Sequence, residues 1–425
     1  METAAADAEA HLRGQRKLHR SPNLYLWYED GTRLVAGTSA TESRIDVTPQ
    51  VLDVIALCDG RHSEDELIDT LRWPGKGPAP KELEARAIVD RLVKAGLLLV
   101  AGVQEDPAAS WWSDDGYGYA RPEIHRTMIQ DTVRTDAFKA ALDEVVREGS
   151  TVIDMGTGTG ILALFAARAG AAAVHAIEYT SIVERARQIA AANGLADRIT
   201  FHQGDAQELA KTLEVKADVI VSEWLGYFVF SDGMWPAVVE CRERCLNPGG
   251  VLIPSAVDLY LAPLDDRDGS GPNYWSSNPY GFDFSPLMQD ELRYTQIRVV
   301  KPEGLLAPPQ RVQQIDCATA GPVLSTDVTA EFTCARDGEL NAFCGHFTAQ
   351  LSPSVVLDTA PGLPDTHWQQ QVFAIQPVAV REGDRITLRF RGIEAPYDNR
   401  LVRMFLEGSV RGPDGTRTFQ STYDQ

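Results

Sequence analysis

The sequence is poor in cysteine and has no long apolar runs. Its six cysteines are scattered without the dense, even spacing of a disulfide framework, which suits a reducing compartment. No stretch approaches the roughly 18 consecutive apolar residues that a membrane span requires. The first residues also lack the apolar core of a secretory signal. We therefore expect a cytoplasmic protein without a membrane partner.

Basic residues are also scarce, since 40 Lys and Arg face 60 Asp and Glu and leave a formal net charge of -20. No basic patch is present to neutralise phosphates, so a nucleic-acid partner is not expected. A cationic substrate would suit this charge, although acidity that only supplies solubility is an equally good explanation. Cys241 and Cys245 lie four apart on a predicted helix without a His or second Cys pair at metal-site spacing. They are interpreted as buried small hydrophobes, and no metal is predicted.

A chain of 425 residues is too long for one ordinary core, so two or three domains are expected, each able to bury its own apolar surface. Residues 1–20 are interpreted as a disordered leader. Residues 21–102 predict a hairpin, LYLWYED and TRLVAG, followed by helices, the last of which closes on Gly96. This region resembles small winged-helix domains used in peptide recognition, through LCDGRHSEDELIDTL and LVKAGLL. A packing or dimerisation domain without a ligand is the alternative.

The rest of the chain changes character once, near residue 254. In 103–254, apolar strands alternate with helices, which predicts a Rossmann-like α/β domain with a parallel sheet. In 255–425, short strands cluster between turn residues, which predicts an antiparallel β-barrel. An insertion at about 264–292 carries aromatic residues that would be costly to leave exposed to water.

A glycine-rich loop marks the predicted cofactor site. The run DMGTGTG, from Asp154 through Gly156 and Gly158 to Gly160, ends a strand and opens a helix, as in nucleotide-binding folds. Glu178 ends the next strand, where an acid can accept hydrogen bonds from ribose hydroxyls. After the third strand, the Ala206 backbone and the Gln207 side chain could address an adenine edge. Because a second phosphate-binding glycine loop is lacking, S-adenosylmethionine is favoured over NAD, and a methyltransferase over an oxidoreductase.

Two acids follow the fourth strand, in SEWLGYFVFSDGMW. Glu223 is expected on the cofactor side of the sheet, and Asp232 follows nine positions later, at the end of a loop. Two carboxylates in a partly dry pocket stay charged only beside a cation, and a planar guanidinium is the natural partner. A surface loop with two unrelated acids is the alternative from this spacing alone.

The same segment resembles the two-acid loop of protein arginine methyltransferases. THW at 366–368 and IHRTMIQDTVRTDAF at 124–138 match the same family in the same order, from about residue 115 to the end. The resemblance implies S-adenosylmethionine as cofactor, S-adenosylhomocysteine as product, and a homodimer formed through an arm at 264–292.

The resemblance also implies roles for individual residues. Arg134 would pair with the cofactor carboxylate, and His125 and Met128 would line the cofactor's amino-acid end. Asp131 and His367 would form a hydrogen-bonded pair near the substrate. The complete substrate-binding set is Tyr119, Glu223, Asp232, Met234, His367 and Trp368, with Trp368 as a wall of the arginine channel and Glu223 also beside the cofactor.

Two departures from the family pattern affect the expected substrate and product. Asp232 stands where the family usually has Glu, which withdraws the carboxylate by about 1.5 Å, and Asp115 and Gly116 replace an aromatic pair. We expect a monomethylated product. The expected substrate is free L-arginine in a bacterial natural-product pathway, such as that of streptozotocin. Peptidyl arginine, bound with help from the N-terminal module, and a non-catalytic cofactor-binding scaffold are the alternatives.

Overall fold

The computed structural model describes residues 15–21, 24–29, 33–38, 41–73, 75, 77–100, 119–230, 233–266, 272–275, 277–395 and 398–423. The chain forms two compact units, Met1–Gly118 and Tyr119–Gln425. The boundary predicted at 102–103 lies outside the described residues, as do Asp115 and Gly116. Within the described ranges, no helix is both long enough and apolar enough to cross a membrane.

The first unit combines two small antiparallel sheets, in the orders β5-β1-β6 and β2-β3-β4, with three helices in its described part. The predicted hairpin is present, with Glu29 opposite Arg33. In chain order, the elements are β1 (Lys17–Arg20), β2 (Leu24–Glu29), β3 (Arg33–Thr38), β4 (Thr41–Asp46), α1 (Pro49–Leu57), β5 (Asp59–Ser63), α2 (Glu64–Thr70), α3 (Pro78–Lys94) and β6 (Leu98–Val100).

Strand β1 corrects the predicted leader, which was extended to residue 20. β1 pairs with both β5 and β6, and Leu18 is buried in the core of the unit. The run KLHR holds a single apolar residue among polar ones, so the sequence carries no strand pattern there. Residues 17–20 therefore belong to the folded first unit.

The helices of the first unit follow local signals in the sequence. Ser63 and Glu66 form a capping box at the start of α2. α3 ends at Lys94 before Gly96, whose φ of 72° is the left-handed conformation that favours glycine after a helix. The likeness to a winged helix stays a prediction.

The second unit begins with a parallel sheet in the order β11-β10-β7-β8-β9. Strand β11 was not predicted, because its sequence LNPGGVLI opens with residues typical of turns. The elements are α4 (Pro122–Gln130), α5 (Thr132–Val145), β7 (Thr151–Met155), α6 (Ile161–Arg168), β8 (Ala173–Glu178), α7 (Val183–Ala192), a 3₁₀ turn (Ala196–Arg198), β9 (Ile199–Gln203), α8 (Ala206–Thr212), β10 (Ala217–Ser222), α9 (Trp235–Cys245) and β11 (Leu246–Ile253).

The strand order creates a switch point between β7 and β10. The chain places β8 and β9 on one side of β7 and then returns to β10 on the other side. The carboxyl ends of β7 and β10 are therefore neighbours, and the Ser222 hydroxyl donates to the Met155 carbonyl at 3.0 Å. Ligands of open α/β sheets bind in the crevice at such a point.

The remaining strands form the predicted antiparallel β-barrel domain, built from two sheets. Their orders are β13-β18-β16-β12-β14, with β17 beside β16, and β15-β19-β20-β21. The elements are β12 (Ala256–Leu264), α10 (Pro272–Trp275), a 3₁₀ turn (Pro279–Gly281), α11 (Ser285–Glu291), β13 (Gln296–Arg298), a 3₁₀ turn (Pro302–Gly304), β14 (Gln310–Asp316), β15 (Thr326–Thr333), β16 (Gly338–Gln350), β17 (Val356–Asp358), β18 (Gln370–Val380), β19 (Arg385–Ala395), β20 (Asp398–Gly412) and β21 (Gly415–Tyr423).

The α/β and barrel domains share one hydrophobic core, which corrects the expectation that each domain buries its own apolar surface. A single cluster of buried residues runs from Phe138 in α5 to Tyr423 in β21. The connection is made by Phe228 and Phe230, whose rings contact Phe373 and Phe390 of the barrel. The loop after β10 thus belongs to the barrel core as much as to the sheet.

Candidate functional site

The glycine loop follows β7 at the switch point. Gly156, Gly158 and Gly160 have φ values of 72°, 56° and 87°, which other residues rarely adopt. A Cβ on Gly158 would lie 2.7 Å from the His125 ring, and one on Gly156 would lie 3.0 Å from the Met234 methyl group. The glycines therefore leave room for His125 and Met234 as well as for a ligand.

Asp154, at the start of the glycine loop, stabilises it through hydrogen bonds. Its carboxylate is fully buried and accepts hydrogen bonds from the Thr157 hydroxyl at 2.5 Å and the Ala163 amide at 3.0 Å. Burial raises its pKa to about 7 despite these bonds. Thr157 was not predicted, although a Thr between two glycines of such a loop was the available signal.

Glu178 ends β8 beside the glycine loop. Its two carboxylate oxygens accept hydrogen bonds from the amides of Gly158 and Thr180, each at 2.8 Å. Each oxygen keeps a further lone pair, so the carboxylate can still accept from a ribose diol.

Arg134 and Glu223 form a nearly buried ion pair, with the Arg134 Nη2 donating to Glu223 Oε2 at 3.1 Å. The Met128 carbonyl accepts from Arg134 Nη1 at 3.4 Å, and the Leu225 amide donates to Glu223 Oε1 at 3.1 Å. The guanidinium carbon lies 5.9 Å from the centroid of the Trp368 ring. Each residue was expected to have its own role, and the hydrogen bond between the two was not predicted.

Asp131 and His367 face each other across the site, one from the start of α5 and the other from the barrel. Asp131 Oδ2 lies 2.8 Å from His367 Nδ1 and also accepts from the His367 backbone amide at 2.8 Å. Burial raises the pKa of Asp131, but its hydrogen bonds with His367 and the Arg134 amide outweigh this and lower it overall. The carboxylate therefore stays charged and fixes the ring.

The other predicted residues lie around this centre in different ways. His125 Nε2 lies 2.6 Å from the carbonyl oxygen of Tyr119, which is a contact with the Tyr119 backbone. The side chain of Tyr119 is substantially exposed. Trp368 is buried between His367 and Phe347. Ala206 and Gln207 form the first turn of α8. Asp232 lies outside the described residues.

The residues present fit S-adenosylmethionine. Three buried polar atoms have no hydrogen-bond partner among the described residues: Arg134 Nε, Asp154 Oδ1 and Thr180 Oγ1. Buried polar atoms are normally paired, so these three are available to bind a polar ligand. A guanidinium suits a carboxylate, Glu178 suits a ribose, and the start of α8 suits a purine edge. Among the described residues, no group of three or more His, Cys, Asp or Glu side chains is arranged for a metal ion.

The fold and this site define an S-adenosylmethionine-dependent methyltransferase. A family model described as the arginine methyltransferase oligomerization subdomain matches residues 255–410, and one described as a methyltransferase domain matches residues 152–250. The probable protein arginine N-methyltransferase 6 of Arabidopsis thaliana is 30% identical over 344 residues, which cover 70% of this chain and 78% of that protein. The chain belongs to the protein arginine N-methyltransferase family.

Other relatives agree. Protein arginine N-methyltransferase 6 of Danio rerio is 36% identical over 270 residues, covering 60% of this chain and 76% of that protein. Among solved structures, the Trypanosoma brucei PRMT1 enzyme-prozyme heterotetrameric complex with AdoHcy has a TM-score of 0.66 and 26% identity, and covers 72% of this chain and 98% of that one. Arabidopsis thaliana protein arginine methyltransferase 10 has a TM-score of 0.63 and 29% identity, with the same coverage of both chains.

Proposed function

We propose that this enzyme methylates arginine residues within polypeptides. The observation that carries the proposal is the position of Glu223 at the switch point, beside the glycine loop and within reach of Arg134. The relatives described above are named protein arginine methyltransferases and come from eukaryotes. Free L-arginine in a bacterial pathway, the substrate favoured from the sequence, has no support among them.

Glu223 and Asp232 are proposed to offset the repulsion between the positively charged substrate guanidinium and the positively charged sulfonium of the cofactor. A guanidinium has a pKa near 13, so at neutral pH it is a cation and a poor nucleophile. The bound cofactor supplies a methyl group activated on a sulfonium. Glu223 and Asp232 would offset the repulsion, hold charge on the nitrogens that they touch and aim the remaining nitrogen at the methyl carbon. In-line placement of this kind is worth roughly 7–11 kcal/mol.

Arg134 is proposed to pair with the carboxylate of the cofactor as well as with Glu223. Its Nη2 donates to Glu223, and its buried Nε, which has no hydrogen-bond partner among the described residues, could donate to the cofactor carboxylate. His125 and Met128 would line the amino-acid end, Glu178 the ribose, and Ala206 and Gln207 the adenine. The proton released on methylation would leave through Glu223 or through the His367–Asp131 pair.

The shorter side chain of Asp232 supports a monomethyl product. An aspartate reaches about 1.5 Å less far than a glutamate, so its grip on an already methylated guanidinium would be weaker. Tyr119, Met234 and Trp368 would complete the substrate pocket.

The six free, buried cysteines suit a cytoplasmic enzyme.

The N-terminal module is proposed to bind the substrate polypeptide as an added strand. β2 is an edge of its sheet, and among the described residues no strand pairs with its other edge. Its sequence LYLWYE has no proline and no charge before Glu29, although natural edges are usually protected in those ways. Leu26 and Tyr28 are exposed on it. An extended peptide can therefore gain both main-chain bonds and apolar contacts there.

The arm between β12 and β13 is proposed to form a homodimer. It exposes Tyr280, which is 96% exposed, together with Phe282 and Leu287. Exposed apolar groups at this density are typical of interaction surfaces. The family model that matches this domain is described as an oligomerization subdomain.

The central test compares Glu223→Gln with the parental enzyme, using labelled S-adenosylmethionine and either an arginine peptide or free L-arginine. We expect the variant to bind S-adenosylhomocysteine yet lose about 100-fold or more in kcat, because a neutral amide cannot offset the cation. Glu382→Gln, on an exposed barrel turn, is the matched control. Parental turnover in the Glu223 variant would contradict the proposed role.

The same assay tests the product and the substrate. The masses of the products count the methyl groups that are transferred. Faster methylation of free L-arginine than of the peptide would contradict the proposed substrate.

The role of the module is tested with Tyr28→Asp. It should raise KM for a long polypeptide substrate and leave a short arginine peptide unaffected, because strand addition needs an extended segment beyond the residues around the arginine. Leu83→Asp, an exposed change on α3, serves as the control. If Tyr28→Asp affects neither substrate, the module does not bind the substrate through this edge.

A further inference from the structure

The backbone at Val229 has an unusual conformation. Its φ is 68°, a left-handed value that is disfavoured for a β-branched residue, and its side chain is 3% exposed. The Phe230 amide donates to the Phe228 carbonyl at 2.8 Å. A hydrogen bond between residues i and i+2 around a central residue with a positive φ defines the form of γ-turn that is rare and strained. Such strain persists only where surrounding structure enforces it.

Two phenylalanines hold Val229 in this strained conformation. Phe228 and Phe230, on either side of Val229, place their rings against Phe390 at 6.2 Å and 6.3 Å between centroids. On the barrel side, β16 makes room for Phe228 at Gly345, where a Cβ would lie 2.8 Å from the Phe228 ring. Both flanking residues are thus fixed by the barrel core, and the residue between them cannot relax.

A chain of hydrogen bonds connects this turn to Glu223. The Val229 amide donates to the Leu225 carbonyl at 2.7 Å, and the Leu225 amide donates to Glu223 Oε1 at 3.1 Å. The orientation of the Leu225 peptide groups therefore depends on the Val229 turn. One oxygen of the Glu223 carboxylate is held by that orientation, while Arg134 holds the other.

We propose that Val229 is a positioning residue for arginine methylation. Its strained turn transmits the rigidity of the barrel core to the Glu223 carboxylate and keeps it in the geometry that a guanidinium requires. Small displacements of such a group can reduce turnover by about two orders of magnitude. The inference rests on the proposed role of Glu223.

The test compares Val229→Gly with Val229→Ala. Glycine adopts a positive φ without a steric penalty, whereas alanine retains that penalty, so the two variants differ in strain and by one methyl group. We expect the glycine variant to melt about 2–4 °C above the alanine variant. We also expect its kcat/KM for an arginine peptide to be about tenfold lower than that of the alanine variant, mainly through kcat. Affinity for S-adenosylhomocysteine should be equal in both.

The opposite order of stability and turnover separates positioning from a merely structural role, which would lower both together. Gly383→Ala, at a barrel turn with a φ of 86° and no atom near its would-be Cβ, is the control. It should lower the melting temperature and leave kcat/KM unchanged. A glycine variant that melts below the alanine variant, or that matches its turnover, would overturn the inference. Failure of the Glu223→Gln test would instead remove the proposed function itself.

Discussion

At the scale of residues, the site is held by two pairs of side chains that come from distant parts of the chain, Asp131 with His367 and Arg134 with Glu223. Asp131 and His367 were paired through the family resemblance, and the structure brings them to 2.8 Å. The bond between Arg134 and Glu223 joins residues 89 apart in sequence, so no local pattern could indicate it. The γ-turn at Val229 was equally hidden, because the barrel core imposes it against the residue's own preference.

His346 offers a pH-dependent prediction at this scale. It is buried, stacks on Tyr260 at 5.0 Å, and neither ring nitrogen has a hydrogen-bond partner among the described residues. Burial lowers its pKa from 6.5 to about 4, although Asp358 acts in the opposite direction. Because the unfolded chain binds this proton first, His346 should remove about 3 kcal/mol of stability as the pH drops from 6.5 to about 4. Asp154 acts in the opposite direction over this range, because its raised pKa of about 7 makes the folded protein bind that proton first.

Urea unfolding at several pH values checks this prediction. His125, His175 and His202 also have lowered pKa values and contribute to the same acid loss. His346→Phe keeps a ring against Tyr260 and removes one proton, so its stability should fall less steeply than that of the parental protein over this range. Parallel curves for the two proteins would contradict the assignment to His346.

At the scale of elements, apolar strands that alternate with helices predicted the parallel sheet, and Gly96 predicted the end of α3. β1 and β11 were missed because KLHR and LNPGGVLI carry turn-forming or charged residues where strands usually carry apolar ones. Both strands exist because neighbouring strands supply their hydrogen bonds. Tertiary pairing thus overrode weak local preference.

The cap of α8 gives a prediction for cofactor binding. The Asp205 side chain accepts a hydrogen bond from the Glu208 amide at 3.0 Å and so fixes the first turn, which holds Ala206 and Gln207. Asp205→Ala should cost about 1 kcal/mol of helix stability and weaken S-adenosylhomocysteine binding about fivefold, measured by calorimetry. Asp205→Asn preserves a capping oxygen and should bind nearly as the parental enzyme. Equal loss in both variants would point to the charge rather than to the cap.

At the scale of the whole molecule, the sequence predicted a catalytic α/β domain and a barrel but separated their cores. No pattern in the sequence assigns Phe228 and Phe230 of the loop after β10 to the barrel, and only the folded chain shows that they pack in its core.

The arm gives a prediction at this scale. Phe282→Asp should shift the enzyme from dimer to monomer in sedimentation velocity, because a charge cannot be buried against an apolar partner surface. Tyr28→Asp, in the N-terminal module, should leave the dimer intact. A dimer that dissociates only with Tyr28→Asp would assign the interface to the module instead.

The continuous core also limits how this enzyme could be recombined with its relatives. A chimaera that exchanged the barrel at residue 255 would retain Phe228 and Phe230 but lose Gly345, Phe373 and Phe390, which accommodate them. Such a hybrid would carry mismatched rings in the turn that is hydrogen-bonded, through Leu225, to Glu223. The natural unit of exchange is therefore the barrel together with residues 224–230.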